Sequence, residues 1–125
     1  MISDCIFCNI NLDRIIQKSQ YFNVIRDMYP VTNLHTLIIP NRHIVSFFDL
    51  IEDEKRKLNQ IIEEQRTLLL SEDISITGFN IGVNDGEDAG QTVMHCHIHL
   101  IPRRKGDVKN PRGGVRGVIP EMQGY

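Results

Sequence analysis

The chain has 125 residues, 41% of them apolar and 24% charged, with a net charge of −2. That is the length and balance of one globular domain with a single hydrophobic core, and it excludes a disordered chain. No apolar run approaches the roughly 20 residues of a membrane-spanning helix, and no basic segment followed by an apolar one marks a secretion signal.

From the N-terminus, Cys5-Ile6-Phe7-Cys8 brings two thiols within reach of one metal ion, but tetrahedral zinc needs two further ligands and there is no second cysteine pair. The alternative is two reduced thiols. With Cys96 the cysteines number three, an odd count that argues against a disulfide framework and for the cytoplasm. Asn11 to Gln20 is polar and is expected to be a turn or linker. Tyr21 to Arg26 is rich in aromatic and β-branched residues, which predicts a strand, and Asp27-Met28-Tyr29-Pro30 is turn chemistry. Thr36 to Ile39 predicts a short apolar strand closed by Pro40.

Asp49 and Glu52 have capping-box spacing. Leu50, Leu58, Ile61, Ile62, Leu68 and Leu69 recur at helical intervals, which predicts one long helix from about Leu50 to Leu70 packed on a sheet. Gly78 to Val83 alternates as a strand. The turn-rich loop Asn84 to Gly90 follows, and its glycines let backbone N–H groups approach a ligand. Its acids Asp85, Glu87 and Asp88 oppose a simple phosphate cradle and are expected to point outward.

In the next stretch, Val93 to Arg103, His95, His97 and His99 alternate with Cys96, Ile98 and Leu100. Period-2 alternation predicts a half-buried strand with three imidazoles on one face, ended by Pro102. Residues two apart on a strand lie roughly 6.8 Å from one another. At that distance two imidazolium charges repel by about 2.4 kcal/mol at an effective dielectric near 20. The row therefore carries at most about one proton at pH 7, which suits nucleophilic and acid–base work on an anionic substrate. The same row would suit a metal, so the residues alone leave both chemistries open. Beyond it, residues 103–125 hold Arg103, Arg104, Lys105, Lys109, Arg112 and Arg116 against Asp107 and Glu121, a balance of +4 that leaves −6 on residues 1–102. The acidic body argues against nucleic-acid binding, and the basic tail could meet a polyphosphate or be a solubilising extension. Its glycines and prolines exclude a regular helix of any length.

The string His95-Cys96-His97-Ile98-His99-Leu100-Ile101, led in by Ala89-Gly90-Gln91-Thr92-Val93, resembles the signature of the histidine triad family of nucleotide hydrolases and transferases. The resemblance covers nearly the whole chain and is densest over residues 78–103. It implies a single α+β domain over residues 1–125, an antiparallel sheet of about five strands with one long helix and a short N-terminal helix, working as a homodimer. It implies attack by His97 on the α-phosphate of a purine nucleotide, forming a nucleotidyl-histidine that water then releases. His99, His35 and His95 complete the histidine set. Asp27 would accept the ribose hydroxyls, and Asn84, Gln91 and Thr92 would position the phosphates. Zinc-carrying members resemble this chain at Cys5, Cys8, His43 and His95, which implies a structural zinc and no organic cofactor. Similar tails occur in bacterial members associated with dinucleoside polyphosphates. Two other classes stand beside this one: a metal-dependent hydrolase with the histidine row as ligands, which lacks acidic ligands beside the row, and a non-catalytic nucleotide-binding module.

Overall fold

The computed structural model describes residues 3–125. Five strands form one antiparallel sheet: β1 (Ile15–Lys18), β2 (Phe22–Arg26), β3 (Thr36–Pro40), β4 (Ile76–Gly82) and β5 (Ile98–Arg104), in spatial order β1-β2-β3-β5-β4. The helix α1 (Glu52–Glu72) lies between β3 and β4 in the chain. This is the expected α+β arrangement. Among the described residues, no helix is long and apolar enough to cross a membrane.

The sheet has two unlike faces because side chains alternate along each strand. On one face Phe22, Val24, Ile38 and Ile98 join Leu58 and Ile61 of α1 in the main core. On the other, Ile25, Leu37 and Ile39 are covered by Phe7, Ile10 and Ile15 of the N-terminal segment. Register continues this second face across the sheet, since Leu37 pairs with His99 and His99 pairs with Gly82. The N-terminal segment therefore covers one half of the face, and His99, Ile101 and Asn80 lie on the other half.

Several sequence expectations need correction. Asn11 to Gln20 is not a linker: it contains a 3-10 turn, Leu12–Arg14, and the edge strand β1. That turn is also the form taken by the short N-terminal helix. An edge strand of four residues, half-buried on one face only, leaves little apolar signal. The helix starts at Glu52 with Ile51 as its N-cap, because Ser46 caps a separate 3-10 turn over Phe47–Asp49 and Leu50 is extended. Strand β5 begins at Ile98, so His95 and His97 precede it. The Cys96 N–H donates instead to the Ile44 carbonyl at 2.7 Å, tying this segment to the loop after β3. Pro102 does not end β5, which runs to Arg104. Strand β3 pairs only with Ile98 to Leu100, so at Pro102 that flank has no ladder to interrupt. The tail does not form a long helix, but it folds into two 3-10 turns, Gly114–Val118 and Pro120–Met122.

Candidate active site

The histidines fall into two groups that face different partners. His35, at the entry to β3, accepts the Val31 N–H at Nδ1 (3.0 Å), so its proton sits on Nε2. That Nε2–H donates to His99 Nδ1 at 2.9 Å, with Asp27 Oδ2 3.5 Å away. His99 must then carry its own proton on Nε2, which is buried and has no partner among the described residues. Burial, together with His97 and His35, holds the His99 pKa down at about 4. Burial also lowers His35, against an opposing pull from Asp27. Both rings are therefore neutral at pH 7.

His97 lies between the groups. Its Nδ1–H donates to its neighbour's carbonyl, the His95 O, at 2.8 Å, which leaves the Nε2 lone pair for chemistry. Its ring centroid is 5.2 Å from that of His99 and 4.9 Å from that of Phe7, which props it from the N-terminal side. A neutral donor at His99 beside the open Nε2 of His97 fits attack on an anionic phosphorus.

His95 turns the other way and is fully buried. Its Nε2–H donates to the Pro40 carbonyl at 2.8 Å, so Nδ1 is a lone pair. That Nδ1 lies 3.4 Å from Cys5 Sγ, 3.6 Å from Cys8 Sγ and 3.1 Å from His43 Nδ1, and Cys8 Sγ is 3.2 Å from His43 Nδ1. A tetrahedral zinc with bonds of about 2.3 Å to sulfur and 2.0–2.1 Å to nitrogen has ligand-to-ligand edges of about 3.3–3.8 Å. The four donors could hold such an ion, and the donor set suits zinc. In a second convergent group, Asp27, His35 and His99, the two imidazoles are already joined by a hydrogen bond and Asp27 lies 3.5 Å from His35. Among the described residues no three members of the row 95, 97 and 99 converge on one point, which disfavours the row as a ligand set.

Around the 84–92 loop the structure separates residues the sequence had grouped. Asn84 is exposed and lines the cavity beside His99, and Thr92 is exposed. Gln91 is buried: its Oε1 accepts the Gly86 N–H at 2.8 Å, and its Nε2 donates to the Val45 and Val93 carbonyls at 2.9 and 3.1 Å. Its side chain therefore shapes the loop. Gly86 and Gly90 both have φ of 96°, which closes this turn. Glu87 and Asp88 point outward as expected, but Asp85 does not: it accepts the Phe47 N–H at 2.7 Å and lies 3.2 Å from the Ser46 hydroxyl.

A cavity of about 570 Å³ opens on the uncovered half of the sheet. His35, His99, Asn84 and Ile101 line it from the sheet side, and Val108, Val115 and Val118 line it from the tail of the same chain. Sequence reasoning missed these valines, because charge drew attention to the tail's cations. Arg103 is held by Asp107 through two hydrogen bonds of 2.9 and 2.8 Å, and Arg104 by Asp73 at 3.0 and 3.1 Å.

A family model described as HIT domain matches residues 10–106. The nitrilase and fragile histidine triad fusion protein NitFhit of Caenorhabditis elegans is 38% identical over 99 residues, which make up 79% of this chain and 22% of that protein. The asymmetrical bis(5'-nucleosyl)-tetraphosphatase of Schizosaccharomyces pombe is 39% identical over 88 residues, 65% of this chain and 44% of that one. This chain thus spans less than half the length of either. A solved zinc-bound histidine triad family protein from Mycobacterium smegmatis superposes with a TM-score of 0.74 at 32% identity, covering 86% of this chain and 80% of that one.

Proposed function

The chain belongs to the HIT family, and from that membership we propose that it cleaves nucleotide substrates at the α-phosphate through a nucleotidyl-histidine on His97. The observation that carries this is the Nδ1–H of His97 committed to the His95 carbonyl, which leaves Nε2 as the nucleophilic atom. Attack by Nε2 displaces the leaving group, and water then releases a nucleoside monophosphate. Dividing one hard displacement into two easier ones is the gain of a covalent intermediate. His35 holds His99 in the tautomer whose Nε2–H can donate a hydrogen bond to the departing atom. Asp27 takes the ribose hydroxyls of a purine nucleotide, Asn84 and Thr92 contact the phosphate oxygens, and Gln91 fixes the loop that presents them.

Cys5, Cys8, His43 and His95 hold a structural zinc in this proposal, supported by donor spacings close to tetrahedral edges and by the zinc-bound relative. A homodimer is supported by the open edge of β4, which the exposed Ile74 precedes in the chain. The absence of disulfides at Cys5, Cys8 and Cys96 supports a reducing, cytoplasmic location.

Rapid quench with a labelled adenylyl substrate, followed by peptide mapping of the acid-labile adduct, tests the central step. The label is expected on His97, and His97→Ala should form none. A label on His95 or His99, or full activity in His97→Ala, would falsify the assignment.

A further inference from the structure

We infer that the tail of this chain builds a subsite for the group that leaves phosphorus, and that the subsite takes an uncharged apolar group in preference to a polyphosphate. The inference rests on the proposed function and names its substrate class. The cavity adjoins His99, whose Nε2 is buried without a partner, and Asn84, so it opens where a leaving group would depart. Its volume of about 570 Å³ falls in the ordinary range for small-molecule sites.

The chemistry of its walls decides the class. Val108, Val115 and Val118 from the tail face Ile101 of the sheet. Val115 and Val118 remain 63% and 77% exposed, so this apolar surface is left for a ligand to cover. A polyphosphate would need free cations, and they are elsewhere. Arg103 is the cationic residue on the lining, and Asp107 neutralises its guanidinium while Asn80 accepts a further hydrogen bond at 2.7 Å. Lys105 and Lys109 line an adjoining groove, which shares Arg103 and Val108 with the cavity, and do not line the cavity itself. Arg112 and Arg116 lie over the Tyr125 ring at 5.0 and 4.9 Å. The tail holds its place through Gly113, whose φ is 90° and where a Cβ would fall 1.8 Å from the Gln123 carbonyl oxygen.

For a nucleoside phosphoramidate of an arylamine the step balances as follows. His97 Nε2 bonds to phosphorus and the P–N bond breaks. The departing nitrogen takes a proton from solvent while His99 Nε2–H donates a hydrogen bond to it, and the arylamine leaves neutral into the cavity.

The test compares adenosine 5'-phosphoramidate, its N-phenyl derivative and diadenosine triphosphate. Val115→Asp places a charge in the wall, and Gly113→Ala unseats the tail through a clash at the Gln123 backbone without replacing a lining residue. Each should lower the kcat/KM ratio of N-phenyl over unsubstituted amidate about tenfold, the scale on which apolar pockets discriminate. The same ratio is then taken from dissociation constants on His97→Ala protein by calorimetry, a readout that needs no turnover. An unchanged ratio in both readouts would overturn the inference. So would a preference for diadenosine triphosphate that Val115→Asp weakens, or variants that alter only the sedimentation coefficient, which would assign the cavity to a second copy. Absence of an adduct on His97 would instead overturn the proposed function, and the calorimetric ratio would still decide the subsite.

Discussion

The His95 carbonyl and the Val31 amide assign the histidine protons from opposite ends of the site. Because Val31 donates to His35, every following nitrogen in the relay has only one role open to it, and the free proton ends on His99 Nε2. That order depends on His99 staying neutral, and burial drives its pKa to about 4 against roughly 6.5 in an unfolded chain. Between those values the unfolded chain binds a proton that the native state refuses, so stability rises with pH through the window and is lost as pH falls from about 6.5 towards 4. The shift corresponds to at most about 3 kcal/mol, reduced by the partial exposure of the ring. His35 and His95, both lowered chiefly by burial, act in the same direction. The melting temperature should therefore fall between pH 6.5 and 5, a range in which ordinary carboxylates stay ionised, and His99→Gln should flatten that slope. A wild-type melting temperature constant across this range would contradict the burial argument.

At the scale of elements, the start of α1 depends on one buried carboxylate. Glu54 accepts the Ile51 N–H at 2.9 Å and two hydrogen bonds from Arg42 at 3.0 and 2.8 Å. Arg42 and Ile51 hold its pKa below the usual carboxylate range despite burial. Glu54→Ala would leave a helix N–H and part of a guanidinium unpaired and should cost about 2–3 kcal/mol. Glu54→Gln keeps an acceptor for Ile51 and should cost less. Denaturant melts that rank the two variants equally would show that the cap carries no part of the loss. This device also marks what the sequence could show. The helix body was legible because Leu58, Ile61 and Leu69 repeat at its period, but the true N-cap, Ile51, has no capping side chain to reveal it. Strands β2 and β3 were legible from their apolar runs, whereas β1 was hidden by its half-exposed pattern. The alternation at His95 to Leu100 suggested a strand that starts three residues too early, since the Cys96 N–H goes to Ile44 instead of a ladder. Charge counts pointed to the tail's cations and could not show that Asp107 and Asp73 neutralise two of them.

Over the whole molecule, the Cys/His cluster ties together segments that are remote in sequence: the N-terminal turn through Cys5 and Cys8, the loop after β3 through His43, and the approach to β5 through His95. The same His95 offers its carbonyl to His97. One residue thus links the packing of the N-terminal segment to the orientation of His97. Two imidazole Nδ1 atoms 3.1 Å apart, one of them a fixed lone pair, sit most comfortably about a shared cation. Structural zinc contributes directly to folding energy, because no preformed site exists in the unfolded chain. Elemental analysis of protein purified without chelators should find close to one zinc per chain. Cys8→Ser should lose it, with a lower melting temperature and weaker protease resistance at the N-terminus. The His97 tautomer, followed by nitrogen-15 NMR, should lose its single Nδ1–H population in the same variant. Metal-free protein of undiminished stability, with His97 still in one tautomer, would detach the cluster from both folding and catalysis.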